Sequence, residues 1–207
     1  MNTTVVGPDG KPRCNWCAAA PEFFDYHDRE WGYPVDDDRR LFEKLCLESF
    51  QSGLSWRTIL AKREHFRAAF AQFDFNVMAQ YTAVDVERLL QNAGIVRHRG
   101  KIEAVINNAQ KAQQMVATEG SLAAFFWRFE PDEKLQPEPQ TASTSPESVA
   151  LSKALKKLGW KFVGPTTVYA FMQAMGLIND HASDCVMRIT ADKARHDFKR
   201  PVSARTC

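Results

Sequence analysis

Residues 151–176 read LSKALKKLGWKFVGPTTVYAFMQAMG. Leu151, Leu155 and Leu158 fall on one face of a helix expected from about Val149 to Leu158. A tight GWKFVG turn follows, and Pro165 then stands at a first helical position, where a missing N–H costs nothing. Gly176 closes this second helix. The stretch therefore reads as two helices joined by a glycine-bounded hairpin. Its turn leaves free backbone N–H groups at the start of the second helix, where a phosphate is readily bound, with Lys156, Lys157 and Lys161 alongside. An ordinary αα-hairpin with solvated lysines would show the same pattern.

Working outward, almost every readable segment repeats with a period of 3.6 rather than 2, so the fold is expected to be all-α. Residues 38–50 carry Leu41, Phe42, Leu45, Cys46 and Phe50 at helical spacing, and Trp56 to Phe70 repeat the pattern. Thr82 and Asp85 have the spacing of a capping box, opening a short helix that ends before Gly94. Helices are expected from about Gly100 to Glu119 and from Ser121 to Phe129. The proline-rich run 131–148 is a long loop between two helical lobes of a single domain, 13–187, while 1–12 and the basic stretch 188–207 read as flexible tails.

The chain has 207 residues, 44% of them hydrophobic, and a formal net charge of only +2. Such a balance excludes a disordered or strongly basic protein, so a nucleic-acid partner would be met by local patches. Neither a membrane span nor a signal peptide is indicated, which makes the cytoplasm the expected compartment. Five cysteines, unevenly spaced, suit reduced thiols or a metal better than a disulfide scaffold.

Three groups of residues fit poorly with simple packing. Glu48 lies on the same helical face as Leu41 and Leu45, so a carboxylate points toward the core unless the helix end turns it to solvent or onto an arginine. Trp16 and the run Tyr26-His27-Asp28-Arg29-Glu30-Trp31-Gly32 concentrate aromatic and polar groups in the manner of a concave site, although they could equally staple the N-terminal segment down. Cys14 and His27, with His181 and Cys185, form a two-sulfur, two-nitrogen set suited to tetrahedral zinc, and Cys14-x-x-Cys17 offers a competing sulfur. Arg97-His98-Arg99-Gly100-Lys101 is a second basic cluster that could serve a phosphate backbone.

Taken in order, RCNWC (13–17), YHDREWG (26–32), LFEKLCLESFQSGLSW (41–56), RHRGKI (97–102), LSKALKKLGWKFVG (151–164) and FMQAMGLINDH (171–181) resemble the bacterial 3-methyladenine DNA glycosylase I family. The resemblance runs from about Arg13 to Cys185 and implies an all-helical, helix-hairpin-helix glycosylase fold. It implies one structural zinc ion held by Cys14, His27, His181 and Cys185, leaving Cys17 out. It also implies that Glu48 faces the excised base as the catalytic carboxylate, with Trp16, Tyr26 and Trp56 as pocket aromatics.

The implied reaction, carried out by a monomer on double-stranded alkylated DNA, is hydrolytic. The nucleotide is flipped, the base, cationic while methylated at N3, is held by an anion and π faces, water attacks C1′, and free 3-methyladenine leaves. Leu54 would fill the vacated stack, while Lys161 and Gly164 would meet the DNA backbone. Where relatives that also cut the strand place a nucleophilic lysine, this chain has Thr166, so no lyase step is expected. Asp180 abuts His181 and receives no catalytic role, and Ser49-Phe50 is expected to reshape the pocket wall. The rival expectation is a non-catalytic, zinc-stabilised helical DNA-binding module, for which Glu48 would have no use.

Overall fold

The computed structural model describes residues 3–132 and 137–203. It opens on a short antiparallel hairpin, β1 (Thr4–Val6) and β2 (Pro12–Cys14), with Thr4 opposite Cys14, and continues through a 3-10 turn, Asn15–Ala19, into α1 (Glu22–Arg29). There follow α2 (Asp38–Gln51), α3 (Trp56–Ala61), α4 (Arg63–Ala69), α5 (Phe75–Met78), α6 (Ala83–Leu90), α7 (Arg99–Glu119) and α8 (Leu122–Phe126). The chain then forms α9 (Pro146–Lys157), α10 (Pro165–Ala174) and α11 (Met187–Asp197). Apart from the N-terminal hairpin, the molecule is helical, and among the described residues no helix is long and apolar enough to cross a membrane.

Helix α2 organises the rest. Its N-cap Asp37 accepts from the Arg40 N–H, and Asp38 accepts from the Ala123 N–H, which seats α8 beside it. Every residue from Leu41 to Phe50 is buried, so α2 runs through the core with no solvent face. At its end, the buried Lys101 ammonium donates to the Phe50 carbonyl at 2.9 Å and to the Ser52 carbonyl, satisfying acceptors that a helix end leaves open. Phe50 packs within 4.7 Å of Phe66 and 5.7 Å of Phe70, ring centre to ring centre.

The helical period of Trp56–Phe70 resolves into two helices rather than one, broken at Lys62, whose ammonium reaches the carbonyls of Ala93 and Gly94. The capping box at Thr82 and Asp85 forms as its spacing indicates. Of the expected loop, residues 133–136 lie outside the described residues, and α9 begins at Pro146 with Ser145 as its cap.

Parts of the stretches expected to be flexible take regular structure: Thr4–Val6 pairs with Pro12–Cys14, and Met187–Asp197 is helical. Arg13 clasps Asp28 with two nitrogens, pinning β2 to α1. In α11 the Arg195 guanidinium, 1% exposed, donates to the Gly176 carbonyl at 2.7 Å and to Glu130 at 3.0 Å. A basic sequence looks like solvent-bound tail, yet here one of its charges, Arg195, is taken up inside.

Gly176 illustrates the tightness of this packing. Its φ is +77°, and a Cβ built on it would lie 2.4 Å from the Pro34 nitrogen. At Gly53, φ is +80° but nothing lies within 4 Å. Gly176→Ala should therefore cost about 3 kcal/mol or more of unfolding free energy, against about 1 kcal/mol for Gly53→Ala, as measured by urea titration.

Candidate functional site

Four side chains from four segments converge on a cavity of about 400 Å³. Trp16 comes from the 3-10 turn, Tyr26 from α1, Glu48 from the last turn of α2, and Trp56 from the first turn of α3, where Ser55 caps the helix. Trp31, Phe23 and the amides of Gln51, Gln140 and Gln173 complete a mostly apolar wall with a few polar points, the lining expected for a planar heterocycle. The Tyr26 and Trp56 rings lie 5.4 Å apart at 45°, and Trp16 meets Tyr26 at 6.3 Å. The indole nitrogen of Trp56 is buried with no partner in the protein.

Glu48 is 6% exposed and lines this cavity, so it turns neither to solvent nor to an arginine. Its partner is Lys44, one helical turn earlier, with Nζ 2.7 Å from Oε1. Lys44 also donates to the Tyr26 hydroxyl at 2.7 Å and sits 3.4 Å from the centre of the Trp56 ring. Burial draws the Lys44 ammonium below its ordinary pKa, while Glu48 opposes that fall. Sequence inspection missed Lys44. The available signal was Lys44-x-x-x-Glu48, an i,i+4 pair on a helix otherwise apolar at those positions.

A second missed residue is Asp180. It is buried and lines the same cavity, accepting from the Gln140 N–H at 2.8 Å and the Gln173 amide at 2.6 Å. Burial pushes its carboxyl above the usual range. With both oxygens engaged, Asp180 fastens the segment around Gln140 over the cavity. A larger hollow of about 1010 Å³, between Pro137–Pro139 and α11, lacks these aromatic faces. Its charges are matched internally, Arg188 to the His181 carbonyl and Lys193 to Asp197.

Behind the Trp16–Trp31 wall, the Sγ atoms of Cys14 and Cys185 and a ring nitrogen of His27 lie within 4.8 Å of one another, all buried. His27 donates Nδ1–H to Asp28 at 2.7 Å, which turns Nε2 toward the Cys185 sulfur at 3.6 Å. The His181 ring lies 4.8 Å from that of His27 and donates Nδ1–H to Asn179 at 2.7 Å, leaving its Nε2 buried and without a partner. Burial holds His181 neutral by drawing its pKa down to about 3. Cys185, hydrogen-bonded by Cys14, is the thiol lowered, to about 4. Gly32 makes room for His181, since a Cβ there would come within 2.6 Å of the ring. Two sulfurs and the His27 nitrogen form a buried three-atom set suited to a cation, with the His181 ring packed beside it. Cys17 is buried but stands outside the set.

The hairpin between α9 and α10 is pinned from below by side chains. Asn108 accepts from the Lys161 N–H at 2.8 Å and donates to the Lys161 carbonyl at 2.9 Å, while Asn107 donates to Gly159, Ser152 to Val163 and Ser49 to Phe162. With its carbonyls held inward, the turn leaves Lys161 exposed and Gly164 as the N-cap of α10. Leu54, 42% exposed, stands across a cleft of about 330 Å³ from Thr166 and Thr167. Ser49 and Phe50 do not line this cavity: Ser49 serves the hairpin, and Phe50 packs into the aromatic core. The basic turn at 97–101 is divided, with Lys101 buried, Arg99 paired to Glu87, and Arg97 exposed.

A family model described as methyladenine glycosylase matches residues 16–188. The chain is 50% identical over 177 residues to DNA-3-methyladenine glycosylase 1 of Escherichia coli, covering 84% of this chain and 95% of that protein. It is 48% identical to DNA-3-methyladenine glycosylase of Haemophilus influenzae, covering 84% of this chain and 96% of the other. A crystal structure of a 3-methyladenine DNA glycosylase I variant in complex with 3-methyladenine superimposes with a TM-score of 0.80 at 39% identity, covering 85% and 97% of the two chains.

Asn108→Ala would leave the N–H and the carbonyl of Lys161, both engaged in partly buried hydrogen bonds, without partners. The expected cost is about 2–4 kcal/mol of stability, checked by thermal unfolding, with hydrogen exchange fastest at the hairpin amides.

Proposed function

This chain belongs to the methyladenine glycosylase family, and we propose that the cavity walled by Trp16, Tyr26, Glu48 and Trp56 receives the alkylated base. The enzyme excises 3-methyladenine from DNA in repair, as a hydrolase of N-glycosyl bonds. A helical module that only binds DNA is set aside. The observation that carries the assignment of the cavity is a carboxylate set among aromatic faces in a space large enough to admit a purine.

A base methylated at N3 is positively charged while attached to the sugar, so its bond to C1′ breaks with the electron pair moving onto the base and cancelling that charge. Water forms the new bond to C1′ and loses a proton to solvent. Such a leaving group needs little help from a general acid, and the residues of the cavity act by holding the flipped base and excluding water from its faces. Glu48 accepts from the base amine, while the rings of Tyr26, Trp16 and Trp56 stack on or edge it. Leu54 enters the vacated stack, and the N-terminus of α10 at Gly164, with Lys161, takes the phosphate backbone. Thr166 offers no amine for a Schiff base, so the strand stays uncut.

Cys14, His27, His181 and Cys185 would hold one structural zinc ion, a reading supported by the closely grouped ligand atoms of Cys14, His27 and Cys185 and by the unpartnered Nε2 of His181. The ion would supply cross-linking between the two ends of the chain and no chemistry at the base. Reduced thiols accord with a cytoplasmic enzyme, acting here as a monomer.

Glu48→Gln should lower release of 3-methyladenine from alkylated duplex roughly 10- to 100-fold, the worth of a charged hydrogen bond, without strand cleavage on a denaturing gel. Because it also leaves Lys44 facing a neutral group, the melting temperature is measured on the same sample; full activity would remove Glu48 from the site. Cys185→Ser should lose bound zinc, by atomic absorption, together with stability of about 3 kcal/mol or more, while its folded fraction keeps its rate per molecule.

A further inference from the structure

We propose that Asp192, acting through Asn179, fixes the tautomer and direction of the His181 ring, so that α11 becomes an outer support of the thiol–imidazole cluster and sets how tightly a metal ion is held there. The inference rests on the reading of Cys14, His27, His181 and Cys185 as a zinc site.

Asn179 is buried, and every hydrogen-bonding capacity of its side-chain amide is in use. Its Oδ1 accepts from the His181 backbone N–H at 3.2 Å and from the ring Nδ1–H at 2.7 Å. Its Nδ2 donates to the Arg188 carbonyl at 3.1 Å and to the Asp192 carboxylate. These roles cannot be exchanged: the backbone N–H on one side only donates, and the carbonyl and carboxylate on the other only accept. The amide therefore has one orientation, and it presents an acceptor to the ring. A neutral imidazole facing that acceptor carries its proton on Nδ1 and keeps its lone pair on Nε2, the buried atom that has no partner in the protein.

Both acceptors belong to α11. Arg188 and Asp192 lie one turn apart on it, and the Arg188 guanidinium returns to the His181 carbonyl, so one helical face grips residues 179 and 181 together. The helix is itself anchored by the buried Ala191 and by Arg195, which reaches the Gly176 carbonyl and Glu130.

The second imidazole of the cluster is backed in the same manner, His27 donating to Asp28 directly and Arg13 holding Asp28. For His181 an amide stands between ring and carboxylate. The family match ends at residue 188, so the carboxylate that completes this chain of hydrogen bonds lies beyond it. Without Asp192, one amide hydrogen would lose its acceptor, and the ring would lose the negative charge that makes Nε2 a better donor to a cation. Asp192 acts on the cluster only through Asn179, which makes it a positioning residue.

The test uses the full chain, stripped of metal and titrated with zinc alone in competition with a chromophoric chelator. Asp192→Ala should weaken zinc binding 10- to 100-fold, and Asp192→Asn, which keeps an acceptor for the amide, should recover most of that loss. Asp192 is exposed, so the metal-free variants should melt with the metal-free native protein, and only the zinc-loaded forms should differ. Equal zinc affinity in the native protein and Asp192→Ala would overturn the proposal, as would a loss that Asp192→Asn does not recover. So would nitrogen NMR of the metal-free native protein showing His181 protonated on Nε2, a measurement that needs no variant to fold. A native chain that binds no zinc would instead remove the cluster as a zinc site, and the role of Asp192 with it.

Discussion

From Leu41 to Phe50, α2 is buried on every side and has nowhere to place a charge in water, yet that stretch carries three. Glu43, Lys44 and Glu48 each need a partner inside the protein, since an isolated buried charge costs several kcal/mol. Glu43 takes Arg67 from α4, and Lys44 and Glu48 take each other, with Tyr26 from α1 as third member. These demands fix where α1, α3 and α4 stand. The cavity lies where the last of the three charges meets the aromatic rings.

The cavity and the thiol–imidazole cluster are also two sides of one structure. Tyr26 and His27 are consecutive on α1, so roughly 100° of helical rotation sends one ring to the cavity and the other to the cluster. Trp16 and Trp31 stand between, Trp16 within 5.3 Å of His27 and Trp31 within 4.8 Å of His181. Loosening the cluster would move the aromatic wall before it touched Glu48. Asp28 and Asn179, each accepting from an imidazole Nδ1–H, orient both rings, and Arg13 in turn orients Asp28, so the support extends outward to the N-terminal hairpin.

Much of this was legible in the sequence where local physics decides. The capping box at Thr82, the proline and glycine that bound α10, and the apolar spacing of α2 and α7 are matters of a few neighbouring residues, and all take the expected form. Glu48 announced itself as a polar residue on an apolar face. Residues whose role depends on a distant partner were hidden. Lysine usually keeps its head in water, so nothing singled out Lys44, and Arg195 in a basic stretch read as tail, although its acceptors come from Gly176 and Glu130. Asp180 reaches the cavity because Gln140 and Gln173 fold over it, a contact between separate segments that no spacing rule registers. The break at Lys62 depends on carbonyls at 93 and 94.

The N–H of Ala182 rests on the Cys14 sulfur across 168 residues of chain. Bringing such remote positions together has the largest loop-closure entropy to overcome, so this contact belongs to the last stage of folding. During synthesis, the segment that backs Trp16 and Trp31 emerges long after the residues it supports. A nascent chain can therefore build α2 and its ion pairs while its aromatic wall still lacks support. The pocket becomes complete only when these two distant segments meet.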